Sequence, residues 1–276
     1  MPFLRSFFLA FAGTKARLGH CQMSRAICVY SQKGGAGKTT TVVNLAAALA
    51  LLGRRTLLID MNPHENAAPM ASVLSRRYRF SLRDVIRGRV PIERAIIPSC
   101  LHCLKVLPSP VNASLDDRMH LGRLDMPGFL RDALARVRDD YEYILIDTPA
   151  SDWSYISHAA SASDYMLVIL RADVLSFRSF GKSLDIIQTI KRRFNPLLKL
   201  AGIALTMYDP EEEGCVTMPT DSLRHRPRWL FRTLIPKDRA IASSAIAGKP
   251  LVVSDYDSKG ARSFRFLADE LIERIG

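Results

Sequence analysis

Residues 33–40 read Lys33-Gly34-Gly35-Ala36-Gly37-Lys38-Thr39-Thr40, and this stretch decides the fold. The apolar run 26–30 before it predicts a buried strand, and apolar residues recur at helical spacing after it, from about Thr40. A glycine-rich turn between a strand and a helix is typical of a phosphate-binding loop, because its backbone N–H groups and the helix start face one anion. We therefore expect residues 34–40 to bind a nucleotide.

Four side chains are expected to complete this site. Lys38 would neutralise the β- and γ-phosphates, and Thr39 would offer its hydroxyl to Mg²⁺. A second apolar run, 143–147, ends at Asp147, whose carboxylate can hold Mg²⁺ through a water. A third run, 56–60, ends at Asp60, where doubly wound sheets place their ligands.

The remaining segments predict a doubly wound, mostly parallel α/β sheet with helices on both faces. Further strands are expected at 104–107, 163–170, 201–209 and 230–235, and helices at 128–138, 176–192 and 263–275. An amphipathic helix with a basic outer face is expected within 70–100, around Leu82, Val85 and Ile86.

Composition limits the function classes. The chain has 276 residues, of which 48% are hydrophobic, and this suits one large domain with a buried core. The net charge of +12 favours a polyanionic partner, either nucleic acid or acidic lipid, although surface arginines are commonly just solvated. Charge alone does not choose between these partners.

The cysteines argue against a disulfide framework. There are five, an odd number, and no convincing secretory signal precedes them, so a reducing cytosol is expected. Cys100 and Cys103 have the spacing of half a metal site, but no second Cys/His pair lies at zinc-finger distance. We interpret the spacing as coincidence and keep a metal as the alternative.

Residues 1–24 stand apart from the domain expected at 25–276. They combine phenylalanines and leucines with Arg5, Lys15 and Arg17, and are too short to span a bilayer. Three interpretations are open: an amphipathic surface anchor, a targeting segment, or a misassigned start upstream of Met23. The misassigned start is slightly favoured, because Met23 directly precedes the first strand.

The phosphate loop with its extra Lys33, together with 57–66 and Asp147-Thr148-Pro149, resembles the ParA/MinD family of dimerising ATPases. The resemblance covers roughly 24–275 and implies ATP and Mg²⁺ as cofactors. It implies that Lys33 contacts the nucleotide of a partner subunit, that Asp60 helps hold Mg²⁺ with Thr39 and Asp147, and that Met207 and Pro236 lie beside the adenine.

The chain departs from the family pattern at Asn62, where relatives carry a second aspartate that positions the attacking water. An asparagine can orient water but cannot accept a proton, so we expect hydrolysis to be slowed while ATP binding is retained. Arg171-Ala172-Asp173 replaces a proline-rich turn, and Ser243–Ile246 replaces a Glu-Ala-Pro-Ser stretch.

The resemblance implies an ATP-dependent homodimeric switch that binds DNA nonspecifically and partitions a plasmid, a chromosome region or a protein cargo. A ParB-like or other partner would stimulate its hydrolysis, and its location would be cytoplasmic and nucleoid-associated. The candidate DNA-binding residues are Arg192, Arg224, Arg226, Arg228, Arg262 and Arg265.

Two alternatives remain. One is a membrane-associated, MinD-like positioning ATPase that uses residues 1–24 as its anchor. The other is an ATP-locked adaptor with little turnover, which Asn62 would explain.

Overall fold

The computed structural model describes residues 24–62, 78–109, 128–150, 152–212 and 227–276. The strands are β1 (Arg25–Tyr30), β2 (Thr56–Asp60), β3 (Ile97–Pro98), β4 (Leu104–Leu107), β5 (Tyr143–Asp147), β6 (Tyr165–Arg171), β7 (Lys199–Tyr208) and β8 (Leu230–Pro236). The helices are α1 (Lys38–Leu51), α2 (Leu82–Ile86), α3 (Phe129–Ala135), α4 (Trp153–Ser161), α5 (Val174–Arg193), α6 (Arg239–Ile246), α7 (Leu251–Ser254) and α8 (Lys259–Ile275).

The strands form one eight-stranded sheet in the order β3-β4-β2-β5-β1-β6-β7-β8. Every neighbouring pair is parallel except β3 and β4, which are antiparallel. The expected doubly wound, mostly parallel sheet is confirmed. Because β5 lies between β1 and β2, the phosphate loop after β1 lies near Asp60 and Asp147, the acids that end β2 and β5. All three are at the carboxyl ends of the parallel strands.

Two apolar layers cover the sheet. Alternate residues of β1 point to opposite faces, so Cys28 packs in one core and Val29 in the other. The first core includes residues of α3, α4 and α5, and the second includes residues of α1, α7 and α8. Among the described residues, no helix has the length and apolarity needed to cross a bilayer.

The helix expected around Leu82, Val85 and Ile86 is present as α2, which has five residues. Gly88 ends it with φ 63°, and the N–H of Arg89 donates to the carbonyl of Asp84, which is the pattern of a glycine-terminated helix. Of the arginines expected on its basic outer face, Arg83 and Arg87 are half-buried, and Arg89 and Arg94, which follow α2, are exposed. Arg76 and Arg77 lie outside the described residues.

Gly202 allows β7 to pack closely against its neighbours. Its φ is +150°, and a Cβ atom added there would lie 2.6 Å from Cε2 of Phe231 and 2.9 Å from Nη1 of Arg274. A side chain at this position would therefore force the aromatic ring of β8 to move.

Glu270 of α8 covers the polar backbone of β8 at the edge of the sheet. Its carboxylate accepts hydrogen bonds from the N–H groups of Arg232 (2.8 Å) and Thr233 (3.0 Å) and from Nη2 of Arg274 (2.8 Å). Burial of the side chain, which is 5% exposed, raises its pKa, but these donors outweigh burial and hold the pKa below 4.5.

We expect Glu270→Gln to lower the free energy of unfolding by about 2 kcal/mol at pH 7, because an amide replaces a charged acceptor of several hydrogen bonds. A carboxylate whose pKa is lower in the folded protein than in the unfolded chain stabilises the fold at pH values above the unfolded pKa. This stabilisation is lost as the pH falls through the folded pKa. The difference between the two proteins should therefore shrink as the pH falls below 4.5.

Urea unfolding of both proteins from pH 7 to pH 3 measures this difference. Glu273→Gln is the matched control, because Glu273 is 67% exposed and its ion pair with Arg232 contributes little. If the difference in unfolding free energy between the natural protein and Glu270→Gln does not change with pH, the lowered pKa of Glu270 in the folded protein is contradicted.

Candidate functional site

The phosphate loop connects β1 to α1 through two glycines in the left-handed region. Gly35 has φ 72°, and Gly37, the N-cap of α1, has φ 76°. Side chains other than glycine rarely adopt these angles, so the glycines allow the loop to turn directly into the helix. Lys33, Gly34 and Gly35 are exposed, whereas Lys38 and Thr39 are buried at the start of α1.

Asp147 binds both side chains of the loop that were predicted to meet the phosphates and the metal. Nζ of Lys38 lies 3.0 Å from Oδ1 of Asp147, and the hydroxyl of Thr39 donates to Oδ2 at 2.6 Å. Lys38 is 6% exposed and Asp147 is 0% exposed, so the contact is screened little by solvent. The structure thus joins the lysine, the hydroxyl and the carboxylate at one point.

Asp60 lies beside Asp147, because the two residues are in register at the ends of β2 and β5. Oδ1 of Asp60 accepts the backbone N–H of Asn62 at 3.0 Å. Asp60 is 0% exposed and Asn62 is 3% exposed. Two carboxylates and a hydroxyl therefore line the strand ends, and oxygen donors of this kind suit Mg²⁺.

Lys33 lies at the open side of the loop. Its Nζ is 3.8 Å from Oδ1 of Asp173, and Nε of Arg171 is 3.2 Å from Oδ2 of the same residue. Partial burial raises the pKa of Asp173, but the N–H of Ser176 and these two cations outweigh it and hold the pKa below its usual value. No sequence pattern predicted this contact, because 171–173 departs from the family pattern.

The loop is held to β7 by Thr206, whose hydroxyl donates to the carbonyl of Ala36 at 2.7 Å. The next residue, Met207, has φ 55°, and its Cε would lie 3.9 Å from a Cβ added to Gly37. Pro236 ends β8 in register with Tyr208. Met207 and Pro236 thus lie at the same edge as the loop. Thr206 was missed, and its only sequence signal is a polar residue in an apolar strand.

The three cysteines that the structure describes, Cys28, Cys100 and Cys103, take no part in the site. Burial raises the pKa of the Cys28 thiol to about 12, an effect that Lys38 opposes and Asp147 reinforces, so this thiol stays protonated. Cys100 and Cys103 are free thiols. In the part of the chain that the structure describes, no three His, Cys, Asp or Glu side chains form a metal-binding group.

The candidate DNA-binding arginines do not form one surface. Arg262 and Arg265 lie one turn apart on α8, and the Arg265 guanidinium is 3.4 Å from the centroid of the Tyr256 ring. Arg228 lies near the other end of α8, where its carbonyl accepts Nη1 of Arg274. Arg192 is on α5, across the sheet from α8. Arg224 and Arg226 lie outside the described residues.

A parallel sheet, a glycine-rich loop at a helix start and a buried Lys–Asp–Thr contact define a P-loop nucleotide-binding protein. A family model described as an AAA domain matches residues 24–200. The chromosome partitioning protein ParA of Myxococcus xanthus is 32% identical over 266 residues, covering 96% of this chain and 94% of the relative. The chain therefore belongs to the ParA/MinD family of P-loop ATPases.

Solved structures agree with this assignment. The cell division ATPase MinD of Pyrococcus furiosus superposes with a TM-score of 0.76 and 26% identity, covering 92% of this chain and 100% of that one. Cobyrinic acid a,c-diamide synthase of Mycobacterium smegmatis, with a bound ATP analogue and magnesium, superposes with a TM-score of 0.75 and 26% identity. That match covers 91% of this chain and 95% of the synthase.

Proposed function

We propose that this chain is an ATP-dependent dimerisation switch that binds DNA nonspecifically when dimeric. The observation that carries the proposal is the contrast between the two loop lysines. Lys38 is 6% exposed and faces the site, whereas Lys33 is 46% exposed on its rim. A rim lysine can reach a phosphate held by another chain, and a second cation on that phosphate stabilises the charge of the transferring group.

The contact between Lys33 and Asp173 does not oppose this role. The 3.8 Å separation and the exposure of Lys33 make it a surface ion pair, which is worth at most about 1 kcal/mol. Lys33 can therefore exchange Asp173 for a phosphate of the partner subunit at little cost.

ATP with Mg²⁺ is the proposed ligand, and the residues present fit it. Backbone N–H groups of 34–40 would bind the phosphates, Lys38 would exchange Asp147 for them, and Thr39, Asp60 and Asp147 would hold the ion. Mg²⁺ neutralises phosphate charge when bound. Met207 and Pro236 are proposed to flank the adenine. The synthase with its bound ATP analogue and magnesium supports this proposal.

The dimer is proposed to carry a plasmid, a chromosome region or a protein assembly over the nucleoid, in the cytoplasm. A partner protein of the ParB kind is proposed to stimulate hydrolysis and so return the dimer to monomers. The similarity to a chromosome partitioning protein supports this cargo class.

The proposed DNA contact is the α8 surface formed by Arg262 and Arg265. Arg262 donates through Nε to the carbonyl of Asp257 (3.0 Å), and Arg265 donates through Nη1 to the carbonyl of Tyr256 (3.1 Å). Each guanidinium has further donors that can bind phosphate oxygens. Dimerisation doubles this surface, and each added phosphate contact makes binding more sensitive to salt.

We expect the double variant Arg262→Glu/Arg265→Glu to lose ATP-dependent DNA retention by at least about 10-fold, because four contacts per dimer are replaced by like charges. The slope of log affinity against log salt concentration should become less steep by at least about 2. Fluorescence anisotropy with a random duplex at several salt concentrations measures both quantities.

The matched control is Arg89→Glu/Arg136→Glu, which changes the net charge equally. Both arginines are exposed, at 59% and 60%, and they follow α2 and α3, which pack in the first core and not in the core of α8. Equal losses in the two double variants would show that net charge, and not the α8 surface, determines retention.

A second candidate, an ATP-locked adaptor, is favoured by Asn62. Its side chain is 3% exposed beside Asp60, at the position where relatives carry the water-orienting aspartate. An amide supplies no negative charge and accepts no proton, so it would leave a stable ATP dimer with little turnover.

We expect Asn62→Asp to raise ATP turnover about 10-fold, because the carboxylate orients water and supplies the missing charge. Asn62→Ala, which cannot orient water, should lie below the natural protein. Single-turnover phosphate release for the three proteins tests this order. An Asn62→Asp rate equal to or below that of the natural protein would refute the role of Asn62.

A further inference from the structure

An open groove of about 590 Å³ lies between β8 and α8, away from the phosphate loop. β8 is the last strand of the described sheet, so this groove follows its edge. Leu234 of β8 and Phe266 of α8 line it, and Phe266 is 62% exposed. A phenylalanine this exposed offers apolar surface to a ligand.

The groove is acidic in a basic protein. Among the described residues, Asp269, Glu270 and Glu273 line it against one cation, Arg232, whereas the whole chain has a net charge of +12. Glu270 already occupies the N–H groups of Arg232 and Thr233, so an added strand would not find these donors. Side chains must therefore provide the recognition, and the matching ligand is a polypeptide with both aromatic and basic residues.

Such a polypeptide joins the described fold at the start of β1, beside the C-terminal end of α8 and three strands from β8. The carbonyl of Ser24 accepts Nη2 of Arg138, and Nε of Arg25 donates to the carbonyl of Ile275 at the end of α8. Residues 1–23 are therefore joined to the described fold beside Ile275, which lies two residues after Glu273 on α8. Phe266 lies nine residues before Ile275, which is about 14 Å along the helix axis. An extended chain of 23 residues spans up to about 75 Å, so the groove is within reach.

The composition of residues 1–23 complements the groove. The segment contains Phe3, Phe7, Phe8 and Phe11 together with Arg5, Lys15 and Arg17, and it contains no Asp or Glu. We propose that residues 1–23 dock in the groove between β8 and α8. Their phenylalanines pack against Phe266 and Leu234, and their cations lie near Asp269 and Glu273. The docking requires neither nucleotide nor DNA, so it stands or falls separately from the proposed function.

Hydrogen exchange with mass spectrometry tests the docking by comparing the full chain with a variant that starts at Met23. Amides of 230–236 and 263–273 are expected to exchange at least about 5-fold more slowly in the full chain. The double substitution Phe266→Ser/Asp269→Lys in the full chain should remove this protection. Both residues are exposed, so the fold tolerates the change. Leu197→Ser is the matched control, since Leu197 is 82% exposed after α5, and it should keep the protection.

A second measurement uses the unaltered full chain. A zero-length carbodiimide should join the Lys15 amine to the carboxylate of Asp269 or Glu273. The natural chain mixed with its ¹⁵N-labelled form should give cross-links only within one chain. Cross-links between chains would replace the proposal with docking onto a second copy. Equal exchange in the full and shortened chains would overturn it, and so would slowed exchange within 1–23 that appears only with anionic lipid vesicles.

Discussion

Replacing Lys38 with alanine is expected to lower ATP affinity by about 100-fold and to reduce ATP turnover to background. The ammonium is buried at the start of α1 and is proposed to bind the phosphates, so the substitution would remove a charge-assisted contact that water replaces poorly. It also removes the cation that lies 3.0 Å from Asp147, a carboxylate with 0% exposure. We therefore expect the unfolding free energy to fall by about 3 kcal/mol as well.

Fluorescent ATP titration and thermal unfolding on the same samples separate the loss of affinity from the loss of stability. Lys105→Ala is the control, because Lys105 is exposed on β4, near the far edge of the sheet. If Lys38→Ala remains folded and binds ATP as tightly as the Lys105→Ala control, Lys38 is not the phosphate ligand.

The core of the site was predictable because it depends on local chemistry. Gly35 and Gly37 take the left-handed angles that only glycine adopts easily, and this requirement is visible in the sequence. Asp60 and Asp147 end continuous apolar runs, and buried parallel strands have this appearance. Their positions in neighbouring strands follow from the doubly wound sheet, so the approach of Asp147 to Lys38 and Thr39 could be expected.

The rest depends on long-range contacts that no local pattern contains. The hydrogen bond from Thr206 to Ala36 joins residues 170 positions apart, and the contact between Lys33 and Asp173 depends on how α5 begins. Helix ends were also displaced. α8 starts at Lys259 and not at Ser263, because Ser258 caps the helix by accepting the N–H of Ala261.

The candidate DNA-binding surface shows the same limit. Charge and position in the sequence indicate six candidate arginines, but the fold places Arg192 on the opposite face of the sheet from Arg262 and Arg265. Only a structure can decide which of several basic segments lie together, because in this chain arginines occur on many surface elements. The proposal therefore depends on the α8 pair.

The second large effect is expected at Lys33. Lys33→Ala should leave ATP binding by one chain nearly unchanged, because Lys38, Thr39 and Asp147 remain in place. It should abolish the ATP-dependent dimer, because the contact from the partner subunit is lost. The proposed switch would thus depend on a residue that contributes little to its own fold, since its ion pair with Asp173 is exposed.

Size-exclusion chromatography with light scattering tests this claim most directly, using no nucleotide, ADP with Mg²⁺ and ATP with Mg²⁺. For the natural chain we expect 30.8 kDa in the first two conditions and twice that mass with ATP, whereas Lys33→Ala should stay at 30.8 kDa in all three. A natural chain that remains a monomer with saturating ATP and Mg²⁺, or a Lys33→Ala variant that dimerises as readily, would contradict it.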